Sequence, residues 1–123
     1  MPHTILEYSD NVVRPVDLQA FWARLHPVLV ETAPCRLQDI KSRAYRCEDF
    51  RMADGAADYA FAHLTIRMFE GRDAETLGRI GQAALEVLRA AFRDTLGARR
   101  CDLTVELTGM RKDAYFKASS CGG

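Results

Sequence analysis

Residues 57–69 read ADYAFAHLTIRMF, and this stretch gives the strongest strand signal in the chain. It is rich in aromatic and β-branched residues, which fit a pleated and partly buried surface. A turn at residues 70–73 follows it. Residues 74–96 then place apolar side chains three and four positions apart, which predicts an amphipathic helix with Asp73 as its N-cap. Residues 101–107 (CDLTVEL) alternate and predict a second strand, so this half reads strand, helix, strand.

The first half of the chain has the same order of elements. Residues 3–8 predict a strand, residues 16–31 a helix, and residues 38–47 a strand with one charged face. Pro27 lies inside the helical stretch and is expected to kink or shorten it. The two halves align with an offset of about 60 residues, which indicates an internal repeat.

A strand, helix and strand in one sheet require a right-handed crossover between parallel strands. Two such units predict an α+β fold: tandem β-α-β units that form a four-stranded mixed sheet, with two helices on one face and a pseudo-twofold repeat. We expect one domain, residues 1–123, made of halves at about 1–55 and 56–123. The uncovered sheet face would carry apolar residues, which favours an oligomer.

Composition excludes several classes of function. Seventeen basic and seventeen acidic residues give a net charge of zero, so no bulk charge favours nucleic acid or an anionic membrane surface. No apolar run approaches the roughly 20 residues of a membrane span, and the N-terminus lacks a signal-peptide pattern. The four cysteines lack metal-ligand spacing. We therefore expect a cytoplasmic protein with no metal site.

Pro2 is the most unusual candidate for chemistry. Removal of the initiator Met would leave a secondary amine at the start of the first strand. An α-amino group has an ordinary pKa of about 8, and burial or nearby cations would lower it toward the range that suits an acid–base catalyst. The simpler interpretation is that a proline after Met only ensures efficient processing. Among the histidines, His3 beside Pro2 is better placed for a role than His63, which reads as a core residue.

Three cations could accompany Pro2. Lys41 and Arg43 share one face of a predicted strand, and Arg72 lies just before a helix N-terminus, where the potential is positive. Such groups can bind carboxylates and stabilise an enolate. The competing interpretation is that they are solvated surface charges without a specific role.

Several segments together resemble the tautomerase superfamily, and within it the family of 5-carboxymethyl-2-hydroxymuconate isomerases. The resemblance spans nearly the whole chain and leaves out the tail at 118–123. It is carried, in order, by residues 2–11 (PHTILEYSDN), 42–43 (SR), 52–55 (MADG), 58–65 (DYAFAHLT), 71–72 (GR) and 116–117 (FK).

The resemblance implies a homotrimer without a cofactor, in which Pro2 and Arg72 are catalytic. It also implies that Arg72, Arg43 and Lys41 bind the carboxylates of a small dienol polyacid. Lys41 departs from the arginine of close relatives and loses the bidentate fork. Tyr8 replaces a smaller residue and could line the pocket.

Together with the candidate residues, this resemblance implies an isomerase that converts 5-carboxymethyl-2-hydroxymuconate to its 2-oxo isomer in the degradation of homoprotocatechuate, an aromatic acid. Pro2 would remove a proton from the 2-hydroxyl group and return one to carbon, while the cations hold the dienolate. Two alternatives are open at this point. The chain could be a tautomerase that acts on another enol or a haloacid, or a non-catalytic trimeric binding module of the same fold.

Overall fold

The computed structural model describes residues 1–121, so the last two residues of the expected domain lie outside the described part. The elements alternate twice between strand and helix, as the sequence predicts. They are β1 His3–Ser9, α1 Leu18–Thr32, β2 Lys41–Cys47, β3 Tyr59–Phe69, α2 Ala74–Ala91, α3 Arg93–Ala98 and β4 Arg100–Met110. Single 3-10 turns precede β2 and follow β4, at Leu37–Asp39 and Lys112–Ala114.

The four strands form one mixed sheet in the order β2-β1-β3-β4. Each half pairs its own strands in parallel, β1 with β2 and β3 with β4, and the halves meet through the antiparallel pair β1 and β3. Thr4 pairs with Ile66 and Ile5 with Thr65. Because Thr4-Ile5 and Thr65-Ile66 are equivalent in the sequence repeat, this register is what a local twofold axis between the halves requires. The predicted fold class is confirmed.

Both main helices pack on one face of the sheet. Buried and more exposed side chains alternate along the whole length of β3, so every second side chain enters the core. Helix α1 contributes Phe21, Leu25 and Leu29 to the same cluster. Helix α2 contributes its own buried residues, which are Ile80, Ala84, Val87 and Leu88.

The opposite side of the sheet, which we call the open face, carries Ile5, Arg43, Phe61, His63 and Thr65 among other residues. None of these five is fully buried, and no helix of the described chain covers them. The open face is therefore apolar in part and partly exposed, as the sequence predicts. No helix among residues 1–121 is long and apolar enough to cross a membrane.

Several element bounds differ from the sequence prediction, and β4, expected over 101–107, extends over Arg100–Met110. The helix expected over 74–96 is two helices, because Phe92 leaves helical geometry (φ −110°, ψ 24°) and buries its ring. The strand expected from residue 38 begins at Lys41, because Leu37–Asp39 forms a 3-10 turn. Pro27 does not shorten α1, which continues to Thr32.

Candidate active site

A cleft of about 710 Å³ lies at the end of the sheet where β1 begins and β3 ends. These two ends meet because the strands are antiparallel. The segment after α1 and the β3–α2 turn form its walls. The lining residues are Met1, Ala33, Pro34, Cys35, Arg36, Asp39, Phe69, Glu70, Gly71, Arg72, Thr76 and Lys112. The N-terminus and the predicted Arg72 therefore share one cavity.

Arg72 is positioned by the turn between β3 and α2. Gly71 has φ +116°, a conformation that side chains rarely adopt, and Asp73 caps α2 as predicted by accepting from the Thr76 amide at 2.8 Å. The half-buried Arg72 guanidinium donates to the carbonyls of Phe69 (2.8 Å) and Ala33 (2.9 Å). A guanidinium has five N–H donors, so donors remain for a ligand in the cleft.

The N-terminal residues lie beside Lys41. Pro2 is fully buried, and its carbonyl accepts from the Lys41 amide at 3.1 Å. The Met1 amine and Lys41 Nζ both donate to the carbonyl of Asp39, at 3.1 Å and 3.0 Å. Lys41 is therefore close enough to the N-terminal amine to influence its charge.

The environment of this amine favours its neutral form. Burial lowers the pKa of the Met1 amine below its ordinary value, Asp39 opposes this shift, and the charges of Lys41 and Lys117 lower the pKa further. The net direction is down. An amine at this place is therefore more often neutral near pH 7 than a solvated terminus, which is the state that a base requires.

Lys41 adjoins the N-terminal amine through the Asp39 carbonyl but does not line the cleft, and two further residues named from the sequence lie elsewhere. Arg43 projects on the open face, where its Nη1 donates to His3 Nδ1 at 2.7 Å, and it does not line the cleft. Tyr8, which could have lined the pocket, instead packs against the core with its ring 6.0 Å from that of Phe92. Sequence periodicity placed Arg43 on the same strand face as Lys41 but could not show where either side chain ends.

The sequence analysis missed the cations that the C-terminal segment brings to this end of the sheet. Lys112 lines the cleft, with Nζ 5.7 Å from the centroid of the Phe69 ring. Lys117 lies 3.4 Å from Asp39 Oδ1. Only Lys117 had a signal, as part of the 116–117 pair in the resemblance. Within residues 1–121 no group of three or more His, Cys, Asp or Glu side chains could hold a metal ion.

The mixed sheet, its two helices and the cleft at the N-terminus define a tautomerase-type fold. A solved chain described as a fused 4-OT wild-type symmetric trimer shares this fold, with a TM-score of 0.73 and 18% identity over 94% of this chain and 91% of that one. At this level of identity the likeness concerns the fold alone.

The chain belongs to the 5-carboxymethyl-2-hydroxymuconate isomerase family, whose model matches residues 2–121. It is 32% identical over 120 residues to the 5-carboxymethyl-2-hydroxymuconate Delta-isomerase of Escherichia coli, covering 98% of this chain and 95% of that protein. The crystal structure of a 5-carboxymethyl-2-hydroxymuconate isomerase from Deinococcus radiodurans R1 has a TM-score of 0.87 at 27% identity. It covers 97% of this chain and 90% of that one. The predicted family and the predicted isomerase class are confirmed.

Proposed function

We propose that this chain isomerises 5-carboxymethyl-2-hydroxymuconate to its 2-oxo isomer, with Pro2 as the acid–base group after Met1 is removed. The observation that carries the proposal is the cleft, in which the N-terminus, Arg72 and Lys112 face one cavity, with Lys41 beside the amine. This is the arrangement that an anionic substrate and an amine base need.

The nitrogen of Pro2 takes part in an amide bond while Met1 is present, and an amide nitrogen is not a base. Removal of Met1 converts it to a secondary amine near the same Lys41 charge and Asp39 carbonyl. The neutral amine accepts the proton of the 2-hydroxyl group, and the electron pair of that O–H bond delocalises over the diene. The protonated amine then gives a proton to a carbon of the conjugated chain, which leaves the 2-oxo product and restores the base.

The cations have two roles in this proposal. Arg72 binds a carboxylate or the dienolate oxygen with the donors that its carbonyl contacts leave free. Lys41 binds a second carboxylate and keeps the amine pKa low. Arg43, which the resemblance also implies as a substrate ligand, does not line the cleft and donates to His3 instead. We further propose a cytoplasmic homotrimer that acts in homoprotocatechuate degradation.

The test is an absorbance assay of dienol loss with untagged protein whose mass confirms that Met1 is absent. We expect Pro2→Ala to lower kcat about 100-fold, with KM changed by less than about 3-fold, because acid–base catalysis contributes about 10²–10⁴-fold. An unchanged kcat would remove Pro2 from the mechanism.

A wild-type protein extended ahead of Met1 is the matched control, since it keeps Pro2 in an amide bond. We expect it to bind substrate and to lack turnover. If untagged wild-type protein has no activity on the muconate, a panel of other enols and haloacids distinguishes a different tautomerase from a non-catalytic binding module.

A further inference from the structure

A chain of hydrogen bonds connects β2, β1 and the C-terminal segment, residues 111–117. Arg43 Nη1 lies 2.7 Å from His3 Nδ1, and His3 Nε2 lies 2.9 Å from the Tyr115 hydroxyl. Arginine is always a donor, so Nδ1 must accept. The proton of neutral His3 therefore resides on Nε2, which donates to Tyr115.

The surroundings of His3 keep the ring neutral. Lys41 and Arg43 face it from β2, Arg67 from the paired position on β3, and the N-terminal amine lies nearby, while Tyr115 is its neutral partner. Burial and then these positive charges lower the pKa of His3. The donor geometry toward Tyr115 is thus preserved through the neutral pH range.

Tyr115 connects this network to the wall of the cleft. Its ring packs edge-on against Phe69 with centroids 5.6 Å apart, and Phe69 supplies the carbonyl that holds Arg72. The 3-10 turn Lys112–Ala114 immediately precedes Tyr115. Holding Tyr115 in place therefore restrains the backbone at Lys112, three residues earlier. The exposed Lys112 side chain lines the cleft and makes no ion pair within residues 1–121.

We propose that Arg43, His3 and Tyr115 are positioning residues that hold the C-terminal segment, so that Lys112 binds a carboxylate of the substrate in the cleft. This inference rests on the proposed function. A muconate with a carboxymethyl group carries three carboxylates, so it needs several cations. Arg36, Arg72 and Lys112 line the cleft, and Lys41 lies beside the amine. Arg43 then acts on the reaction through His3 and not as a substrate ligand.

The kinetic test compares Tyr115→Phe, Lys112→Gln and the double variant. Tyr115→Phe removes the hydroxyl and keeps the ring contacts with His3 and Phe69. We expect KM to rise about 10-fold in Lys112→Gln and about 3-fold or more in Tyr115→Phe, with kcat nearly unchanged, because a charged hydrogen bond to the substrate is lost or misplaced. The double variant should resemble Lys112→Gln, since both changes act on one contact. Additive effects, or a normal KM in Lys112→Gln, would overturn the proposal.

Arg43→Ala tests the other end of the network. The rise in KM that it causes should not add to the rise caused by Tyr115→Phe. If Arg43 instead bound a substrate carboxylate directly, its removal would raise KM further and independently of Tyr115. Tyr45→Phe, an exposed tyrosine on β2, is the matched control and should leave both constants unchanged.

A second readout does not depend on turnover. Amide hydrogen exchange over residues 111–117 should be faster in Tyr115→Phe and His3→Ala, and His3→Gln should restore slow exchange because Gln keeps a donor to Tyr115. Unchanged exchange in Tyr115→Phe would show that the Tyr115 hydroxyl does not hold the C-terminal segment.

If wild-type protein does not turn over the muconate, the proposed function fails separately. Calorimetric binding of propane-1,2,3-tricarboxylate then tests Lys112: weaker binding in Lys112→Gln supports its role, and equal binding refutes it.

Discussion

At the scale of single residues, Arg72 connects protein stability with substrate binding. Two of its N–H groups are used by the carbonyls of Phe69 and Ala33, which join the end of β3 to the segment after α1. The planar guanidinium can hold both carbonyls and still face the cleft, whereas a lysine ammonium is a single point donor. A lysine at residue 72 would therefore keep the positive charge but not all of these hydrogen bonds.

We expect Arg72→Lys to lower kcat/KM about 10- to 100-fold, although the positive charge is kept, because charged hydrogen bonds contribute about 1.5–3 kcal/mol. Steady-state kinetics on the muconate measure this. Arg79→Lys, at an exposed pair with Glu75 on α2, is the matched control and should behave as wild type. Equal kcat/KM in Arg72→Lys and wild type would show that only charge matters at residue 72.

The pH dependence of kcat/KM is a second prediction at this scale. Only the neutral amine is a base, so kcat/KM should rise with pH through the pKa of the Pro2 amine. Burial and then Lys41 among the cations lower the pKa of the Met1 amine at this place, and we expect the same direction for Pro2, with the rise below the ordinary value of about 8. Lys41→Gln removes a charge that lowers the pKa, so the rise should move to higher pH.

Arg24→Gln removes one charge from an exposed position on α1 that does not line the cleft, and its pH profile should match that of wild type. A profile that does not move in Lys41→Gln would argue against an amine base beside Lys41.

The sequence could predict the candidate residues whose position in the chain is itself unusual. Pro2 follows the initiator Met, and Arg72 precedes a helix start, so both stand out without a structure. The positions of the Arg43 and Lys112 side chains could not be predicted in this way. They depend on where long side chains end and on how the C-terminal segment folds back. Strand periodicity specifies a face of the sheet but not those end points.

At the scale of secondary structure elements, caps and turns place the cleft walls. Asp17 accepts from the Ala20 amide at 2.9 Å and begins α1, whose last turn leads to the Ala33 carbonyl that holds Arg72. Gly71 and Asp73 begin α2 next to the same arginine. The end of α1 and the start of α2 therefore contribute to the position of one catalytic candidate.

We expect Asp17→Ala to lower the free energy of unfolding by about 1 kcal/mol, since an N-cap side chain satisfies an otherwise unpaired helix amide. Urea denaturation at fixed protein concentration measures it, because an oligomer's stability depends on concentration. Glu86→Ala removes a carboxylate from an exposed pair with Arg89 and should change stability by less than about 0.5 kcal/mol. A loss in Asp17→Ala no larger than this control would exclude a capping role.

Element types were predictable because the apolar spacing changes clearly between two and about 3.6 residues along the chain. The division at Phe92 was not, because its apolar side chain fits the helical period that α2 established. Backbone geometry at one residue decides the division, and burial of the Phe92 ring stabilises it. The 3-10 turn before Lys41 escaped prediction because three residues are too few to show a period.

At the scale of the whole molecule, the repeat determines which surface is left uncovered. Two β-α-β units of the same hand, joined by antiparallel central strands, place both helices on one side. The open face then has Ile5 and Phe61 on its two central strands, with a hydrogen-bonded His63–Glu106 pair on the same face. This consequence follows from topology and was predictable from the sequence repeat.

A second and third copy of the chain are the expected cover for the open face. A partly apolar sheet face without a helix is unusual on a monomer, and the homotrimer proposed above would cover it. Light scattering should therefore give about 41 kDa, three times the 13.8 kDa chain mass.

Phe61→Lys places a charge on the open face and should shift the mass toward that of one chain, because burying an unpaired ammonium is costly. Leu96→Lys, at a partly exposed position on α3 and outside the open face, should leave the assembly intact. A wild-type mass of about 14 kDa at micromolar concentration would mean that the open face functions without a partner copy. A trimer that survives Phe61→Lys would instead place the interface elsewhere, on the sheet edges β2 and β4, whose outer backbone groups the sheet leaves unpaired.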